Sequence, residues 1–198
     1  MSAIILAGGA STRLGRDKPQ ERLGITTLLD IVIESMLKLS HDVLVVVKPG
    51  TSRPAPSHDG KVRTVFDDPI GIGPLGGLYS GLKECKDEYA WTVGCDMPFL
   101  NRALLRHLMA LAPGYDAVVP RMQGLQPLHA VYGKSCLPAI MSLMATDKVA
   151  IYQLFKMINV RYIDDKEIAA FDPSGRSFFN INTEEDLRLA KSRTDVQY

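Results

Sequence analysis

The chain has few cysteines, almost no net charge and no long apolar run, and each of these excludes a class of protein. Its 198 residues carry 23 Lys and Arg against 22 Asp and Glu. Charge this evenly scattered gives no indication of nucleic-acid or membrane-surface binding. No apolar run approaches the roughly 18 residues of a membrane-spanning helix, and no charged and then apolar leader opens the sequence. Three widely spaced cysteines indicate reduced thiols, so we expect a cytoplasmic protein.

Metal-ligand spacing is also missing from the histidines. The four histidines of the chain fall into no zinc-binding pattern with one another or with the cysteines. We therefore expect no structural zinc site.

Strand-like and helix-like patterns alternate along the sequence. Short apolar runs predict strands, and apolar residues at helical spacing predict helices between them. The predicted strands are 3–7, 43–47, 62–66, 90–94, 116–119, 128–132 and 160–163, and the predicted helices are 27–39, 75–82, 102–111, 134–144, 149–157 and 183–190. This alternation predicts one α/β domain over residues 1–198, with a mostly parallel central sheet flanked by helices on both faces.

A glycine-rich loop with two cations follows the first predicted strand. The pair Gly8 and Gly9 allows close approach of a ligand, and successive N–H groups in such a turn bind anions. Arg13 and Lys18 add positive charge to a phosphate. The spacing fits neither the Walker loop nor the dinucleotide fingerprint. The loop predicts a nucleotide-phosphate site; the alternative is a tight surface turn with unrelated charges.

Two further loops place aspartates just after predicted strands. Asp67 and Asp68 precede a glycine-rich segment at 71–78, which suits either a backbone wrapped around a flat ligand or a proline-initiated helix. Asp96 follows the strand 90–94, and a carboxylate at a buried strand end needs compensation of its charge. Mg²⁺ would supply it, since this ion prefers carboxylate oxygen. The alternative is that Asp96 caps the next helix.

In their order, these segments resemble the molybdenum cofactor guanylyltransferases, the MobA-like branch of the nucleotidyltransferase superfamily. The resemblance spans residue 3 to about residue 190 in five motifs. They are the loop 6–18 (Leu-Ala-Gly-Gly-x-Ser-x-Arg-Leu-Gly-x-Asp-Lys), the segment 67–78 (an aspartate before Gly-Pro-Leu-Gly-Gly-Leu), 95–99 (Cys-Asp-Met-Pro-Phe), 126–130 (Gln-Pro-Leu-His-Ala) and 180–183 (Asn-Ile-Asn-Thr). The fold implied is Rossmann-like, of the nucleotide-diphospho-sugar transferase type.

The resemblance also implies roles for particular residues. The triphosphate would be held by Arg13, Lys18 and the amides of the loop from Gly8 to Gly15, which includes Gly9. The backbone around Leu6, Ala7 and Gly8 would lie near the guanine and ribose. Asp67 would lie near the guanine and ribose, with Asp68 as the alternative. Mg²⁺ would be held by Asp96 with Asn182. Gln126, Pro127 and Asn180 would lie on the acceptor side. Cys95 and His129 are given no chemistry, because such a cysteine is usually inert and such a histidine is usually hydrogen-bonded or at the surface.

The implied reaction transfers GMP from GTP to the terminal phosphate of a molybdopterin-type cofactor, with release of pyrophosphate. Transient contact with other proteins of cofactor biosynthesis or molybdoenzyme maturation is also implied. The alternatives are a cytidylyltransferase or other nucleotidyltransferase of the same fold, or a non-catalytic nucleotide-binding protein. The chain departs from the family pattern at two positions: Lys48 stands where an asparagine is frequent, and Gly124 where an arginine is frequent.

Near the C-terminus, two local predictions concern the Asn-Ile-Asn-Thr segment. In a strand, Asn180 and Asn182 would point to the same face. Thr183, with Asp186 or Glu185, is a credible helix N-terminus.

Overall fold

A mixed seven-stranded sheet lies at the centre of the computed structural model, which describes residues 1–7, 21–50, 60–68, 73–146 and 150–194. The strands in these ranges are β1 (Ser2–Leu6), β2 (Arg22–Leu23), β3 (Thr26–Thr27), β4 (Asp42–Val47), β5 (Val62–Phe66), β6 (Tyr89–Gly94), β7 (Ala117–Pro120), β8 (His129–Gly133) and β9 (Val160–Ile163). The helices are α1 (Leu28–Leu37), α2 (Pro74–Glu84), α3 (Arg102–Ala110), α4 (Leu137–Met144), α5 (Ile151–Leu154), α6 (Asp165–Ala169) and α7 (Glu184–Thr194).

The main sheet has the strand order β5-β4-β1-β6-β8-β7-β9, and β2 pairs with β3 in a separate hairpin. Strands β5, β4, β1 and β6 are mutually parallel, and β9 is parallel to β7. Strand β8 runs antiparallel to both of its neighbours. The connection 121–128 before β8 is too short for the crossover of roughly a dozen residues that a parallel pair requires. The predicted α/β fold with a mostly parallel sheet is confirmed.

Helices cover both faces of the sheet, which explains why its central strands are apolar throughout. In β1, Ile5 packs toward the side chains of α1 and α3. Its neighbour Ile4 packs with those of α2 and α4 on the opposite face. Strands buried on both faces read as continuous apolar runs because neither set of alternating side chains meets water.

The predicted helices also agree with the structure, with two adjustments. The helix predicted for 134–144 begins with a single 3₁₀ turn, Lys134–Cys136, and that predicted for 149–157 is shortened to α5. Side-chain chemistry allows Thr26 or Thr27 as the cap of α1. The structure shows Thr27, whose Oγ1 accepts a hydrogen bond from Asp30 N–H over 3.2 Å. Within the described ranges, no helix combines the length and apolar character needed to cross a bilayer.

Helix α2 packs so closely on β1 that glycine is needed at the contact. A Cβ built on Gly81 would lie 2.6 Å from Ile4 Cγ2, and one built on Gly77 would lie 3.1 Å from Leu6 Cδ2. Pro74 opens the helix after Gly73, which has a φ of 64°. The structure therefore favours the proline-initiated helix for 74–78, whereas residues 71 and 72 lie outside the described ranges.

Gly81→Ala should lower the free energy of unfolding by up to about 2 kcal/mol, because overpacking costs roughly 1–3 kcal/mol and the higher helix propensity of Ala offsets about 1 kcal/mol of that cost. Gly77→Ala is the matched comparison, since its neighbour is the mobile end of Leu6 and the loss should be smaller. Urea unfolding of both variants measures the difference. Equal losses would contradict this account of the helix–sheet contact.

Candidate active site

The strand order reverses between the neighbours β1 and β6, and the loops that leave these strands meet at the carboxyl edge of the sheet. Leu6 and Gly94 are register partners, and Cys95 N–H donates to the Leu6 carbonyl oxygen over 3.2 Å. Ala7 N–H donates to Val46 on the other side. Ligands of open α/β sheets bind at such a reversal.

The glycine-rich loop that follows β1 starts from this edge. The structure places its predicted nucleotide contacts Leu6 and Ala7 there, beside the ends of β4 and β6. The predicted phosphate residues Gly8, Gly9, Arg13 and Lys18 lie outside the described residues.

Asp96 follows β6 at the same edge, and its carboxylate folds back over the strand end. A Cβ built on Gly94 would lie 2.6 Å from Asp96 Oδ1, so this approach requires a glycine. The following helix α3 is capped by Asn101, whose side chain accepts from Leu104 N–H. The alternative role of Asp96 as the cap of that helix is therefore wrong.

The Asn-Ile-Asn-Thr segment lies directly against Asp96. Ile181 N–H donates to the Asp96 carbonyl oxygen over 2.9 Å, and the Ile181 side chain is fully buried. The segment is irregular, so a strand at 180–182 is not observed, although Asn180 and Asn182 both line one cavity, as expected of residues that share a face. Its backbone bonds to the β6 loop through this contact instead of entering the sheet. Asn180 and Asn182 are thus brought to the strand-end aspartate from a distant part of the chain.

The predicted N-terminus of α7 is confirmed, with Asp186 as the acidic partner. Thr183 Oγ1 accepts from Asp186 N–H over 3.1 Å, and Asp186 Oδ2 accepts from Thr183 N–H over 2.8 Å. Asp186 Oδ2 also accepts from Asn182 N–H over 2.9 Å. This reciprocal cap fixes the backbone of Asn182 beside the site.

Asp67 is the buried member of the aspartate pair after β5. Its side chain is 4 % exposed, and Oδ1 has no hydrogen-bond partner among the residues that the structure describes. Burial raises the pKa of Asp67, the Lys48 charge opposes the rise, and the Asp68 charge adds to it. Asp68 is exposed, and its backbone N–H and carbonyl bond the Ser80 hydroxyl of α2. Of the two aspartates, Asp67 is therefore the one with a buried carboxylate oxygen that lacks a partner among the described residues.

A cavity of about 760 Å³ opens beside the Asn-Ile-Asn-Thr segment. The predicted residues Gln126, Asn180 and Asn182 all line it. Gln126 is oriented by a hydrogen bond from its Nε2 to the Met122 carbonyl oxygen, at 2.9 Å. Pro127 is not among the lining residues, and its carbonyl oxygen accepts from the Tyr132 hydroxyl. Its part is therefore to shape the turn that presents Gln126.

The hairpin before Gln126 explains one departure from the family pattern. Gly124 has a φ of 126°, in a turn closed by a hydrogen bond from Met122 N–H to the Gly124 carbonyl oxygen. A side chain at Gly124 would be strained in this conformation.

Sequence reasoning missed the part of the cavity wall formed by residues 174–178. Asp172 organises it: its carboxylate accepts hydrogen bonds from the backbone of Arg176 and from both the N–H and the hydroxyl of Ser177. The available signal was Asp-Pro-Ser-Gly, a turn-forming sequence before Arg176.

His129 corrects another expectation, since it is neither hydrogen-bonded nor at the surface. Its side chain is fully buried, with the ring 4.7 Å from that of Phe178, and neither ring nitrogen has a hydrogen-bond partner within the described ranges. Burial lowers the pKa of His129 to about 4, although the Asp172 charge opposes the shift. A neutral, fully enclosed imidazole touches no substrate, which agrees with its omission from the catalytic residues.

The oxygen atoms of the site fit a magnesium ion that arrives with a nucleotide. Within the described residues, no group of three or more His, Cys, Asp and Glu side chains could hold a metal ion. Mg²⁺ keeps several waters and commonly uses one or two carboxylates together with substrate phosphates. Asp96 offers the carboxylate, and Asn182 lies on the segment bonded to it.

Comparison with known proteins agrees with the fold. A sequence profile of the MobA-like NTP transferase domain matches residues 3–161. The chain belongs to this family. The resemblance drawn from the five motifs is confirmed, and the matched region runs from β1 to β9, which includes the predicted residues Asp67, Asp96 and Gln126.

Relatives in the MobA-like NTP transferase family match over nearly the whole chain. The molybdenum cofactor guanylyltransferase of Desulfosudis oleivorans is 33% identical over 97% of this chain and 95% of its own. A probable molybdenum cofactor guanylyltransferase of Methanosarcina mazei is 34% identical over 94% of this chain and 88% of its own. The solved structure of molybdopterin-guanine dinucleotide biosynthesis protein A from Archaeoglobus fulgidus has a TM-score of 0.87 and 25% identity, and all of both chains is covered.

The buried histidine predicts a pH-dependent stability for this MobA-like NTP transferase. At pH 5 the unfolded chain protonates His129, whose pKa in water is 6.5, while the folded chain, in which burial lowers that pKa to about 4, does not. The unfolded state then binds more protons, so stability falls as pH falls from 6.5 to 4, by roughly 3 kcal/mol in all at about 1.36 kcal/mol per pKa unit. His129→Phe should remove this loss. Urea unfolding at pH 7.5 and pH 5 measures it.

The control for this prediction is His41→Gln. His41 is exposed beside Asp87, so its replacement should leave the loss between pH 7.5 and pH 5 in place. If His129→Phe lost as much stability between pH 7.5 and pH 5 as the unmodified chain does, burial of a neutral imidazole would not be the cause of the pH dependence.

Proposed function

We propose that the chain transfers GMP from GTP to the terminal phosphate of a molybdopterin-type cofactor and releases pyrophosphate. The observation that supports it most is the hydrogen bond from Ile181 N–H to the Asp96 carbonyl oxygen. It joins the backbone of the strand-end Asp96, on the nucleotide side, to the segment that lines the cavity. A group-transfer enzyme needs two substrate sites that meet at one point, and this contact provides the meeting point.

On the nucleotide side, the backbone of Leu6 and Ala7 starts the loop whose amides, with Arg13 and Lys18, would hold the triphosphate. Asp67 is suited to the guanine or ribose. A buried carboxylate oxygen without a described partner accepts hydrogen bonds from N–H or O–H groups of a ligand that fills the space. The pKa of Asp67, raised by burial, is the sign of this unmet demand.

Mg²⁺, held by Asp96 with Asn182, would offset the negative charge that develops on the phosphates during transfer. The chain's own residues would supply alignment. An oxygen of the acceptor phosphate attacks the α-phosphorus of GTP, the bond from this phosphorus to the bridging oxygen of the β-phosphate breaks, and pyrophosphate leaves. Gln126 and Asn180 would hold the acceptor on the opposite side, within the cavity that they line. No strong base is required, since the attacking phosphate is already anionic.

Binding of GTP to the native state should raise its apparent thermal stability. We expect a rise in Tm with GTP and Mg²⁺, little rise with CTP at the same concentration, and loss of most of the GTP effect in Lys18→Ala. Asp67→Asn should reduce the GTP effect while raising the Tm of the free protein by a few degrees, on the order of 1 kcal/mol for a domain of this size, because a buried charge is removed.

Each alternative gives a different result in this thermal-shift experiment. A preference for CTP would favour a cytidylyltransferase. GTP binding without GMP transfer to molybdopterin would favour the non-catalytic protein. No shift with either nucleotide would contradict the proposed function.

The position of the Asp96 carboxylate can be tested through Gly94. Gly94→Ala places a Cβ 2.6 Å from the present position of Asp96 Oδ1, so the carboxylate must move. The Mg²⁺ concentration for half-maximal GMP transfer should then rise by about tenfold or more, as when groups that orient a metal ligand are changed. Gly133→Ala is a matched control at the opposite end of the sheet, with a Cβ 3.0 Å from Tyr89 Cε1. An equal Mg²⁺ requirement in both variants would argue against Asp96 as a metal ligand.

A further inference from the structure

The charge of the cavity wall comes from two side chains. Among the described residues that line it, Arg176 is the only cation and Asp186 the only acid. Asp186 Oδ2 accepts from the backbone of Asn182 and Thr183 as the cap of α7. The other described lining residues are neutral, and Gln126, Asn180 and Asn182 among them carry amide groups. An anion that enters the cavity is therefore attracted to Arg176.

The loop that carries Arg176 is held in place from two sides. Asp172 Oδ1 accepts from Arg176 N–H over 3.1 Å, and Asp172 Oδ2 accepts from the Ser177 hydroxyl over 2.6 Å. The hydrogen bonds lower the pKa of Asp172, although burial alone would raise it, so the carboxylate stays charged. Gly175, with a φ of 62°, approaches Met122 so closely that a Cβ would lie 2.5 Å from Met122 Cε. The loop therefore packs against the hairpin before Gln126.

The guanidinium of Arg176 is positioned by an aromatic ring. Its Cζ lies 4.1 Å from the centre of the Phe99 ring, and Phe99 in turn packs on Phe179, with their ring centres 6.1 Å apart. Phe99 belongs to the segment that begins with Asp96. A ring contact uses the face of a guanidinium, whereas hydrogen bonds to phosphate run from its edge, so the two are compatible.

We propose that Arg176 binds the terminal phosphate of the acceptor and so selects phosphorylated acceptors for this site. The inference rests on the proposed function. The group that must be recognised is a phosphate monoester, which a guanidinium binds through two parallel N–H···O contacts. Phe99 places this cation between the cavity and the Asp96 loop, where the acceptor phosphate must lie to reach a nucleotide bound at the sheet edge.

The experiment compares binding of metal-free molybdopterin with and without its terminal phosphate, followed by quenching of pterin fluorescence. The unmodified chain should bind the phosphorylated form more tightly. Arg176→Gln should lose about tenfold or more in affinity for that form, the usual effect of losing a charged hydrogen bond, and keep its affinity for the dephosphorylated form. Arg176→Lys should retain part of the preference, because it keeps the charge without the planar fork.

The matched control is Arg121→Gln. The Cζ of Arg121 lies 5.2 Å from the centre of the Tyr162 ring, a similar contact, but Arg121 is not among the cavity-lining residues. This variant should bind both forms as the unmodified chain does. Circular dichroism and thermal melting of each variant check that it folds.

Two results would overturn the inference while leaving the proposed function in place. One is an unchanged preference for the phosphorylated form in Arg176→Gln, in a protein whose unmodified chain transfers GMP. The other is an equal loss of affinity for both forms, which would mean that Arg176 only supports the cavity wall. An unmodified chain that binds neither GTP nor either pterin would overturn the proposed function as well.

Discussion

A backbone hydrogen bond between Ile181 N–H and the Asp96 carbonyl oxygen joins the two halves of the site. Ile181 is fully buried in a small apolar cluster with Leu23, Leu28 and Leu187. Burial of such a side chain stabilises the fold by roughly 2–3 kcal/mol, more than a net hydrogen bond of about 1 kcal/mol, so the cluster fixes the segment and the hydrogen bond sets its register. Asn180 and Asn182 then line the cavity, because Ile181 between them is buried in the core.

The pKa values of buried carboxylates shift in opposite directions at the two edges of the sheet. At the amino edge, Asp42 is buried, yet hydrogen bonds from Ser2, Lys86 N–H and Arg63 lower its pKa despite the burial. At the carboxyl edge, burial raises the pKa of Asp67, because the Lys48 charge offsets it only in part. A carboxylate satisfied within the protein stabilises the fold, whereas one left unsatisfied stores binding free energy for a ligand. Within the described residues, the carboxyl edge thus holds a buried carboxylate oxygen without a partner, whereas the carboxylate of Asp42 at the amino edge is hydrogen-bonded.

Local sequence patterns predicted the elements of the fold well. Periodicity predicted β1, β4 and α1 close to their observed bounds, and the caps at Thr27 and Thr183 followed from side-chain chemistry within a few residues. Properties that depend on distant contacts were not predictable. The irregular course of residues 180–182 depends on the bond to Asp96, and the enclosure of His129 depends on the ring of Phe178, far along the chain.

The same limit explains why Arg176 was overlooked and why the hairpin carries a glycine. In the sequence alone, the single basic residue Arg176 after Asp-Pro-Ser-Gly carries no pattern that indicates a function. In three dimensions, the contact of Gly175 with Met122 brings its loop to the hairpin that holds Gly124. The φ of 126° at Gly124 disfavours a side chain there, and the cation among the described lining residues comes from the other loop, at Arg176. Because two loops share one wall, a cation absent from the first can be supplied by the second while the cavity keeps its charge.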